Sequence, residues 1–367
     1  MVRIYLIGAG VIARHHADAA LHLGEPVELH VFDPSAEAIA AFMARAPDAI
    51  VHEDLESLLS GEPRPDDIVI VATPPRSHAA LAIQAFQSGR HVLSEKPLGM
   101  SAEEAREMFA AARAAGKHLG DCSMRFLGYE AEEAIRKSLD EGELGELYHV
   151  TCRHRVQRGR SGIEYQPEAR WFLDRSRSGG GVLMDWSVYD LATLFDLLQP
   201  VRIEIRDAWT AKPETSADPA DVVFDVETHV GAAMRLTLAD GHTVALSYER
   251  ASCTHGTPGM LLELEGLRGA ATWQWLPYLD NSTTVTLRRD AGGTEAADSF
   301  PIDGSPNWHH RPLVYFHRSL RGGKGPLISD ERALFNFAVI QAIYDVAADG
   351  KPVTVTLGER TPATAAA

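Results

Sequence analysis

The amino-acid sequence predicts an α/β first part with a doubly wound parallel sheet and an α+β second part built on an antiparallel sheet. Three observations carry this reading. Apolar strand-like runs alternate with helical segments as far as Ser123. A Gly-x-Gly-x-x-Ala turn joins the first run to the first helix. Beyond Leu127, several β-rich runs follow one another with no helix between them. Alternation of strand and helix builds parallel crossovers, whereas successive strands pair as hairpins.

Val2 to Ile7 is a β-rich, mostly apolar run that opens onto Gly8-Ala9-Gly10-Val11-Ile12-Ala13. A helix is expected from about Ala13 to Leu23, stopped by Gly24, and a second strand from Val27 to Phe32, ended by Asp33. Strand, glycine turn, helix and acid-ended strand together form a dinucleotide-binding pattern. Gly8 permits the tight turn, Gly10 lets the backbone approach a pyrophosphate, and Ala13 lets the helix pack on the strand. Val11 and Ile12 belong to the helix N-terminus, whose unpaired N–H groups face the phosphates. Asp33 is placed to accept hydrogen bonds from the adenosine ribose and to repel a 2′-phosphate. Pro34 and Ser35 add no cation. NAD is therefore expected over NADP.

Helices are expected at Glu37 to Arg45 and, before Pro63 and Pro65, at Asp54 to Leu59. Asp67 to Ala72 is a strand apolar on both faces, running into Thr73-Pro74-Pro75. His78 to Ser88 is a helix with Ala79, Ala82, Ile83 and Phe86 on it, capped by Gly89. The strand His91 to Leu93 ends in Glu95-Lys96-Pro97. Ala102 to Ala115 is a helix stopped by Gly116, and His118 to Ser123 begins one more strand. A charged Glu-Lys pair at the C-terminal edge of a parallel strand sits where open α/β sheets bind ligands. Pro97 breaks that strand at once. Lys96 is thus placed to meet both a cofactor and a substrate.

The 367 residues, 45% apolar and 23% charged, suit a two-domain globular chain. The formal net charge of −16 disfavours phosphate backbones, so no nucleic-acid partner is expected. Cys122, Cys152 and Cys253 lie far apart and suit reduced thiols in the cytoplasm. The chain runs straight into a strand, so no leader is expected. No stretch approaches the roughly 20 apolar residues of a membrane span.

Thr73-Pro74-Pro75, His78, Gly89-Arg90-His91-Val92 and Glu95-Lys96-Pro97 together resemble the glucose–fructose oxidoreductase / inositol dehydrogenase / rhizopine-catabolism (Gfo/Idh/MocA) family, over nearly the whole chain. The resemblance implies a Rossmann dinucleotide-binding domain at 1–123 and an α+β substrate-binding domain with an open, mostly antiparallel sheet at 124–358. A flexible tail is expected at 359–367. It places the cofactor in the cleft between the domains and implies a homodimer or homotetramer formed through the C-terminal sheet. By motif, Lys96 resembles the family's active-site lysine, touching the nicotinamide ribose and the substrate hydroxyl. Glu95 would orient it, Thr73, Pro74 and His78 would line the middle of the cofactor, and Arg125 would lie near the nicotinamide.

In the second half, Tyr129 to Glu141 reads as a helix and Leu147 to Val156 as a strand. Strands follow at Val201 to Trp209, Glu227 to Leu238, Thr243 to Arg250, Leu261 to Glu265, Ala271 to Trp275 and Thr283 to Arg288. Asp240-Gly241 is a hairpin signal. Trp171 and Gly179-Gly180-Gly181-Val182-Leu183-Met184-Asp185 precede an apolar helix, Tyr189 to Leu198. The family resemblance implies here an Asp followed four residues on by His, both facing the substrate. Asp185 is present, but Tyr189 takes the His place. The two would share one helical face at i and i+4. Read without the resemblance, Asp185 suits a helix N-cap and Tyr189 suits core packing.

Oxidising an alcohol needs a base for the hydroxyl proton. A free tyrosine, with a pKa of about 10, is a poor one at neutral pH. A nearby ammonium favours the phenolate, and Lys96 is the candidate. Family members with Tyr here include sugar-oxidising and dihydrodiol-oxidising ones, which favours a sugar or related ring alcohol over an inositol.

Lesser candidates remain. Asn307-Trp308-His309-His310-Arg311 precedes a helix from Leu313 to Leu320 and offers an aromatic and polar cluster suited to a sugar face. His309 and His310 are adjacent, as are His15 and His16, so their side chains diverge and no metal is expected. Arg158, Arg160 and Tyr165 lie in a loop whose arginines are expected in solvent. Trp273 and Trp275 alternate along a strand and suit a core or a subunit interface. The expected function is NAD(P)-dependent dehydrogenation of a sugar or polyol hydroxyl. Lys96, Tyr189 and Asp185 would do the chemistry, with Trp171 beside the substrate. Two alternatives are a redox-neutral, glycosidase-like enzyme with tightly bound NAD and a non-catalytic dinucleotide-binding regulator.

Overall fold

The computed structural model describes residues 1–274, 282–289, 295–301, 306–328 and 330–358. The strand end expected at Trp275 and the tail 359–367 lie outside the described residues. The chain packs as two compact units, Met1–Phe126 with Ser305–Leu334 and Leu127–Gly304 with Phe335–Ala367.

The first unit holds a six-stranded, wholly parallel sheet of order β3-β2-β1-β4-β5-β6. Its strands are β1 (Val2–Ile7), β2 (Val27–Phe32), β3 (Ile50–Val51), β4 (Ile68–Val71), β5 (His91–Ser94) and β6 (Leu119–Asp121). Helices α1 (Val11–Ala20), α2 (Ala36–Met43), α3 (Leu55–Leu59), α4 (His78–Gln87) and α5 (Ala102–Ala114) connect them. β4 and β5 are buried at every residue, as strands covered on both faces must be. The strand order reverses between β1 and β4, the place where such sheets bind ligands. α1 begins two residues before the expected start, because Gly10 is its N-cap.

The second unit opens with α6 (Glu130–Asp140) and β7 (Leu147–Arg155), followed by α7 (Arg175–Ser178), α8 (Val182–Asp185) and α9 (Ser187–Leu198). Seven strands come next: β8 (Pro200–Ala211), β9 (His229–Leu238), β10 (Thr243–Ala251), β11 (Gly259–Gly266), β12 (Gly269–Trp273), β13 (Ser282–Arg289) and β14 (Glu295–Pro301). With β7 and β15 (Val353–Thr356) they form a nine-stranded sheet of order β14-β13-β12-β11-β7-β10-β9-β8-β15. β7 and β10 pair in parallel, and the other neighbours are antiparallel. The hairpin at Asp240-Gly241 joins β9 to β10, with Gly241 at φ +87°.

Two helices complete the chain, α10 (Arg311–Leu320) and α11 (Asp330–Asp349). Of the described residues, 306–328 and 330–334 cluster with the first unit, although they fall in the range 124–358 expected for the second domain. The reason is apolar burial. Leu313 and Phe316 of α10 are buried, and α10 packs on α1 and on the β5–β6 end of the parallel sheet. Gly120 of β6 leaves room for the Phe316 ring, which a Cβ there would approach to 2.7 Å.

Arg90, of the Gly-Arg-His-Val segment, is a structural residue. It is fully buried, and its guanidinium donates to the carbonyls of Leu59, Ser88, Ser60 and Gly61 at 3.0, 3.1, 3.2 and 3.3 Å. It also lies 3.7 Å from the Asp67 carboxylate. Arg90→Met strands these acceptors, so urea unfolding should show a loss of about 3 kcal/mol with an unchanged m-value.

Candidate active site

Gly8 follows β1 at φ +102°, a conformation that suits glycine, and a Cβ on it would lie 2.7 Å from the Ala72 carbonyl oxygen. Gly10 caps α1 with no side-chain hydrogen bond, and a Cβ on it would meet nothing within 4 Å. The start of α1, with Val11 and Ile12, therefore presents bare backbone beside open space, where N–H groups can meet an anion. Asp33 ties this turn to β2. Its Oδ2 accepts from the Ala9 N–H and its Oδ1 from the Ser35 N–H, each at 2.8 Å. Backbone and carboxylate together fit the pyrophosphate and ribose of a dinucleotide.

Thr73 and Pro74 lie just beyond β4, and Thr73 Oγ1 hydrogen-bonds Ser77 Oγ at 2.7 Å. His78 is fully buried. Its Nδ1 lies 2.8 Å from the Pro97 carbonyl oxygen and its Nε2 lies 2.7 Å from that of Thr73. The ring thus ties the loop after β4 to the turn after β5.

β5 delivers Glu95 into the interior and Lys96 to a half-buried position. Glu95 Oε1 accepts from His16 Nε2 at 2.8 Å and from Arg125 Nη2. Its Oε2 accepts from the Lys96 backbone N–H at 3.2 Å. Burial alone would keep Glu95 protonated. The Arg125 guanidinium, the His16 hydrogen bond and the Lys96 charge outweigh it and hold the carboxyl well below the usual range. Asp121, at the end of β6, goes the other way. Burial pushes it up to about 6, although Ser123 donates to it from Oγ at 2.6 Å and N–H at 2.8 Å.

His16, Glu95 and Cys122 bring ligand-type atoms within 4.8 Å of one another. Arg125 occupies the shared carboxylate oxygen, and burial pushes the Cys122 thiol far up, so the set suits hydrogen bonding better than a cation. The 307–311 segment packs by stacking. The His309 ring lies 3.9 Å from that of His15 and 4.1 Å from that of Trp308, which in turn stacks on Phe126 at 5.3 Å.

In the second unit the triple-glycine turn is built around a buried acid. Glu227 accepts from the N–H of Gly181 at 3.0 Å, the N–H of Leu183 at 3.1 Å and the hydroxyl of Tyr344 at 2.7 Å. A Cβ on Gly181 would lie 1.7 Å from the Glu227 carbonyl oxygen, and one on Gly180 would lie 2.1 Å from the Tyr344 hydroxyl. The turn launches α8, which ends at Asp185. That carboxylate accepts from Ser161 Oγ at 2.5 Å. Asp185 is therefore not the N-cap of the next helix, where Trp186 stands without a side-chain cap. The helix is interrupted at Trp186, with φ −114°, so Asp185 and Tyr189 do not share one continuous helical face as expected. Tyr189 is buried in α9.

Its neighbour Asp190 is buried too, and accepts from Tyr248 Oη and Arg250 Nη1, each at 2.8 Å. Arg250 stands over the Trp186 ring at 5.1 Å. Burial, with the Arg250 charge, pushes His154 down to about 2.

Trp171 stacks on Phe172 with ring centroids 3.9 Å apart. Arg158 is exposed, as expected, but Arg160 is not in solvent. It is 1% exposed and pairs with Glu164 at 2.6 Å and Asp218 at 2.5 Å, partners that remove the need for water.

The sequence reading missed His16, Ser161, Asp190, Glu227, Arg250 and Tyr344. His16 and Asp190 each carried a local signal, a polar residue on an otherwise apolar helix face. Glu227 carried none, since its partners lie 44 to 117 residues away.

A parallel sheet with a glycine-turned helix at its switch point defines a dinucleotide-binding class of fold. Residues 2–120 match the oxidoreductase family with an NAD-binding Rossmann fold, and residues 133–272 match the GFO/IDH/MocA C-terminal domain. The chain belongs to the Gfo/Idh/MocA family. It is 28% identical to 1,5-anhydro-D-fructose reductase of Ensifer adhaerens over 98% of this chain and 100% of that one. The WlbA dehydrogenase from Bordetella pertussis, solved with NADH and UDP-GlcNAcA, superposes with a TM-score of 0.74 at 23% identity, over 98% of both chains. Levoglucosan dehydrogenase, solved with NADH and L-sorbose, superposes with a TM-score of 0.75 at 18% identity, over 97% of this chain and 99% of that one. Among the described residues, no helix is long and apolar enough to cross a membrane.

Two stability predictions follow from this geometry. Gly181→Ala should cost about 3 kcal/mol of unfolding free energy, because its Cβ strikes backbone, whereas Gly10→Ala should stay within about 0.5 kcal/mol. Chemical denaturation of the two variants checks this.

The second concerns pH. Burial pushes His154 and His309 down to about 2 each. The unfolded chain takes up protons below about pH 6.5 that the native rings refuse, so stability falls on acidification by up to about 1.4 kcal/mol per pH unit for each histidine. Asp121 opposes this between about 6 and its unfolded value, since protonating it relieves a native-state cost. Glu95 adds a further loss below about pH 4, as the unfolded carboxylate protonates first. His154 and His309 together outweigh Asp121 and leave a net loss from about pH 7 to about pH 5, readable as a falling urea midpoint.

Proposed function

We propose that the protein is an NAD-dependent dehydrogenase that moves a hydride between a hydroxyl of a sugar or related ring alcohol and the nicotinamide. The observation that carries this reading is the Glu95-Lys96-Pro97 turn, with an ionised Glu95 buried beneath a half-buried Lys96. The names of the similar proteins, 1,5-anhydro-D-fructose reductase and dehydrogenases solved with NADH and UDP-GlcNAcA or L-sorbose, support it.

NAD, when bound, supplies the hydride acceptor. Gly8, Gly10, Val11 and Ile12 would hold its pyrophosphate through backbone N–H groups, and Asp33 its adenosine ribose. Thr73 and Pro74 would line its middle. His78 and Arg125 would act from behind, on the turns they brace. Asp33, with no cation beside it in sequence, would repel a 2′-phosphate, which favours NAD over NADP.

Lys96 would bind the reacting hydroxyl through its ammonium. Tyr189 would accept the hydroxyl proton at its phenol oxygen, which requires a cation to favour the phenolate, and Lys96 is assigned that part. Asp185, oriented by Ser161, would bind a neighbouring hydroxyl, and Trp171 would offer an apolar face to the ring. The face of the nine-stranded sheet would join copies into a homodimer or homotetramer.

A panel of sugars and polyols, run with NAD and NADP in parallel, tests the reading. Reduction of NAD is expected with at least one member, with kcat/KM at least about tenfold above that with NADP. On that substrate Lys96→Ala and Tyr189→Phe should each lower kcat by about 100-fold or more. Full turnover by Lys96→Ala would overturn the mechanism. Product formation without added NAD would indicate a redox-neutral enzyme instead. Clear NAD binding with no turnover across the panel would indicate a regulator.

A further inference from the structure

The first unit contains two fully buried histidines, His16 and His78, that no step of the proposed chemistry uses. Both end on the same three residues. His16 lies on the buried face of α1, one turn beyond the glycine turn, and its Nε2 is 2.8 Å from Glu95 Oε1. Its Nδ1 is buried with no hydrogen-bond partner. A proton on Nδ1 would therefore be stranded, so the ring proton sits on Nε2 and is donated to Glu95. His78 lies at the start of α4, just after the Thr73-Pro74 loop, and its Nδ1 is 2.8 Å from the Pro97 carbonyl oxygen.

We propose that His16 and His78 are positioning residues that grip the Glu95-Lys96-Pro97 turn from its two ends and so set the place of the Lys96 ammonium. The proposal rests on Lys96 being the active-site lysine. Glu95 is fixed through its carboxylate by His16 and Arg125, and Pro97 through its carbonyl by His78. The Lys96 N–H is itself held by Glu95 Oε2 at 3.2 Å. With both flanking residues fixed, the Cα–Cβ direction of Lys96 is fixed, and only side-chain torsions remain.

The grip also links two cofactor elements to the lysine. α1, whose N-terminus suits phosphates, carries His16, and the loop after β4 is bonded to His78 through the Thr73 carbonyl at 2.7 Å. A dinucleotide held at the glycine turn would thus be in fixed register with Lys96. Ångström-scale register decides rate in reactions of this kind.

The test compares wild type with His16→Leu and His78→Leu, which keep bulk and lose the donor, and with His16→Gln, which restores an N–H. The first readout needs no substrate. Limiting acetic anhydride acylates lysines, and mass spectrometry gives the rate at Lys96 relative to Lys117, Lys137, Lys212, Lys324 and Lys351 of the same molecule. Each Leu variant should raise the Lys96 ratio by about fivefold as the turn loosens, and His16→Gln should return it to within about twofold of wild type. The second readout is kinetic. On a substrate from the sugar panel, the Leu variants should lose about tenfold in kcat while the NAD dissociation constant moves less than about threefold.

An unchanged Lys96 ratio in both Leu variants, with only a lowered unfolding midpoint, would overturn the proposal and leave the histidines as packing. Should a Leu variant not fold, His16→Met or His78→Met, which likewise lack an N–H donor, takes its place, with the same two outcomes. If no sugar is turned over, the dehydrogenase reading fails while the acylation ratios still decide the grip.

Discussion

A carboxylate kept charged in the interior constrains this molecule more than any other interaction. Taking Glu95 out of water costs several kcal/mol unless its charge is met by close, well-directed partners. Arg125 and His16 meet it, from 30 and 79 residues away in sequence. α1, the end of β5 and the short turn after β6 are therefore required to converge on one point. The glycine turn precedes α1, and Lys96 follows Glu95. One buried ion cluster thus holds both the helix that follows the glycine turn and the candidate catalytic lysine. Removing a partner would leave an uncompensated charge, so the cluster specifies geometry even if its net contribution to stability is small.

The second unit repeats this logic with different acids. Glu227 gathers the N–H groups of Gly181 and Leu183 and the Tyr344 hydroxyl, and it leaves no room for a Cβ at Gly181. Asp190 binds α9 to β10 through Tyr248 and Arg250. Between these anchors lie Asp185 and Tyr189, the groups assigned to substrate hydroxyls. In each unit the residues proposed to react are placed by a neighbouring buried carboxylate that does not itself react. Such acids are satisfied on nearly every side, which is what makes them effective as fixed points.

How much of this could be read from the sequence depended on how far apart the partners lie. Gly8, Gly10 and Asp33 form a local pattern whose spacing follows from the strand–turn–helix geometry, so turn and acid were both expected. The end of β5 just before Lys96 was legible because Pro97 cannot continue a strand. The break at Trp186 carried no glycine or proline signal, so Asp185 and Tyr189 were expected to share one helical face. Arg160 looked like a solvated loop residue because Asp218, which neutralises it, lies 58 residues on. The parallel pairing of β7 with β10 left no mark on either strand. α11 was missed because it is apolar nearly all round, and a helix buried on most faces loses the 3.6-residue rhythm. α10 was expected as a helix but in the other domain, since nothing in its own sequence says which sheet it covers.

Glu95 is ionised in the folded protein, held so by Arg125 and His16. Isotope-edited infrared spectroscopy tests it directly. Protein labelled with 13C-glutamate is compared with its Glu95→Gln variant, and the difference spectrum isolates the one carboxyl group. A carboxylate band that persists from neutral pH down to about pH 4 is the result expected for a buried carboxylate so stabilised. A protonated-carboxyl band at neutral pH would contradict the account.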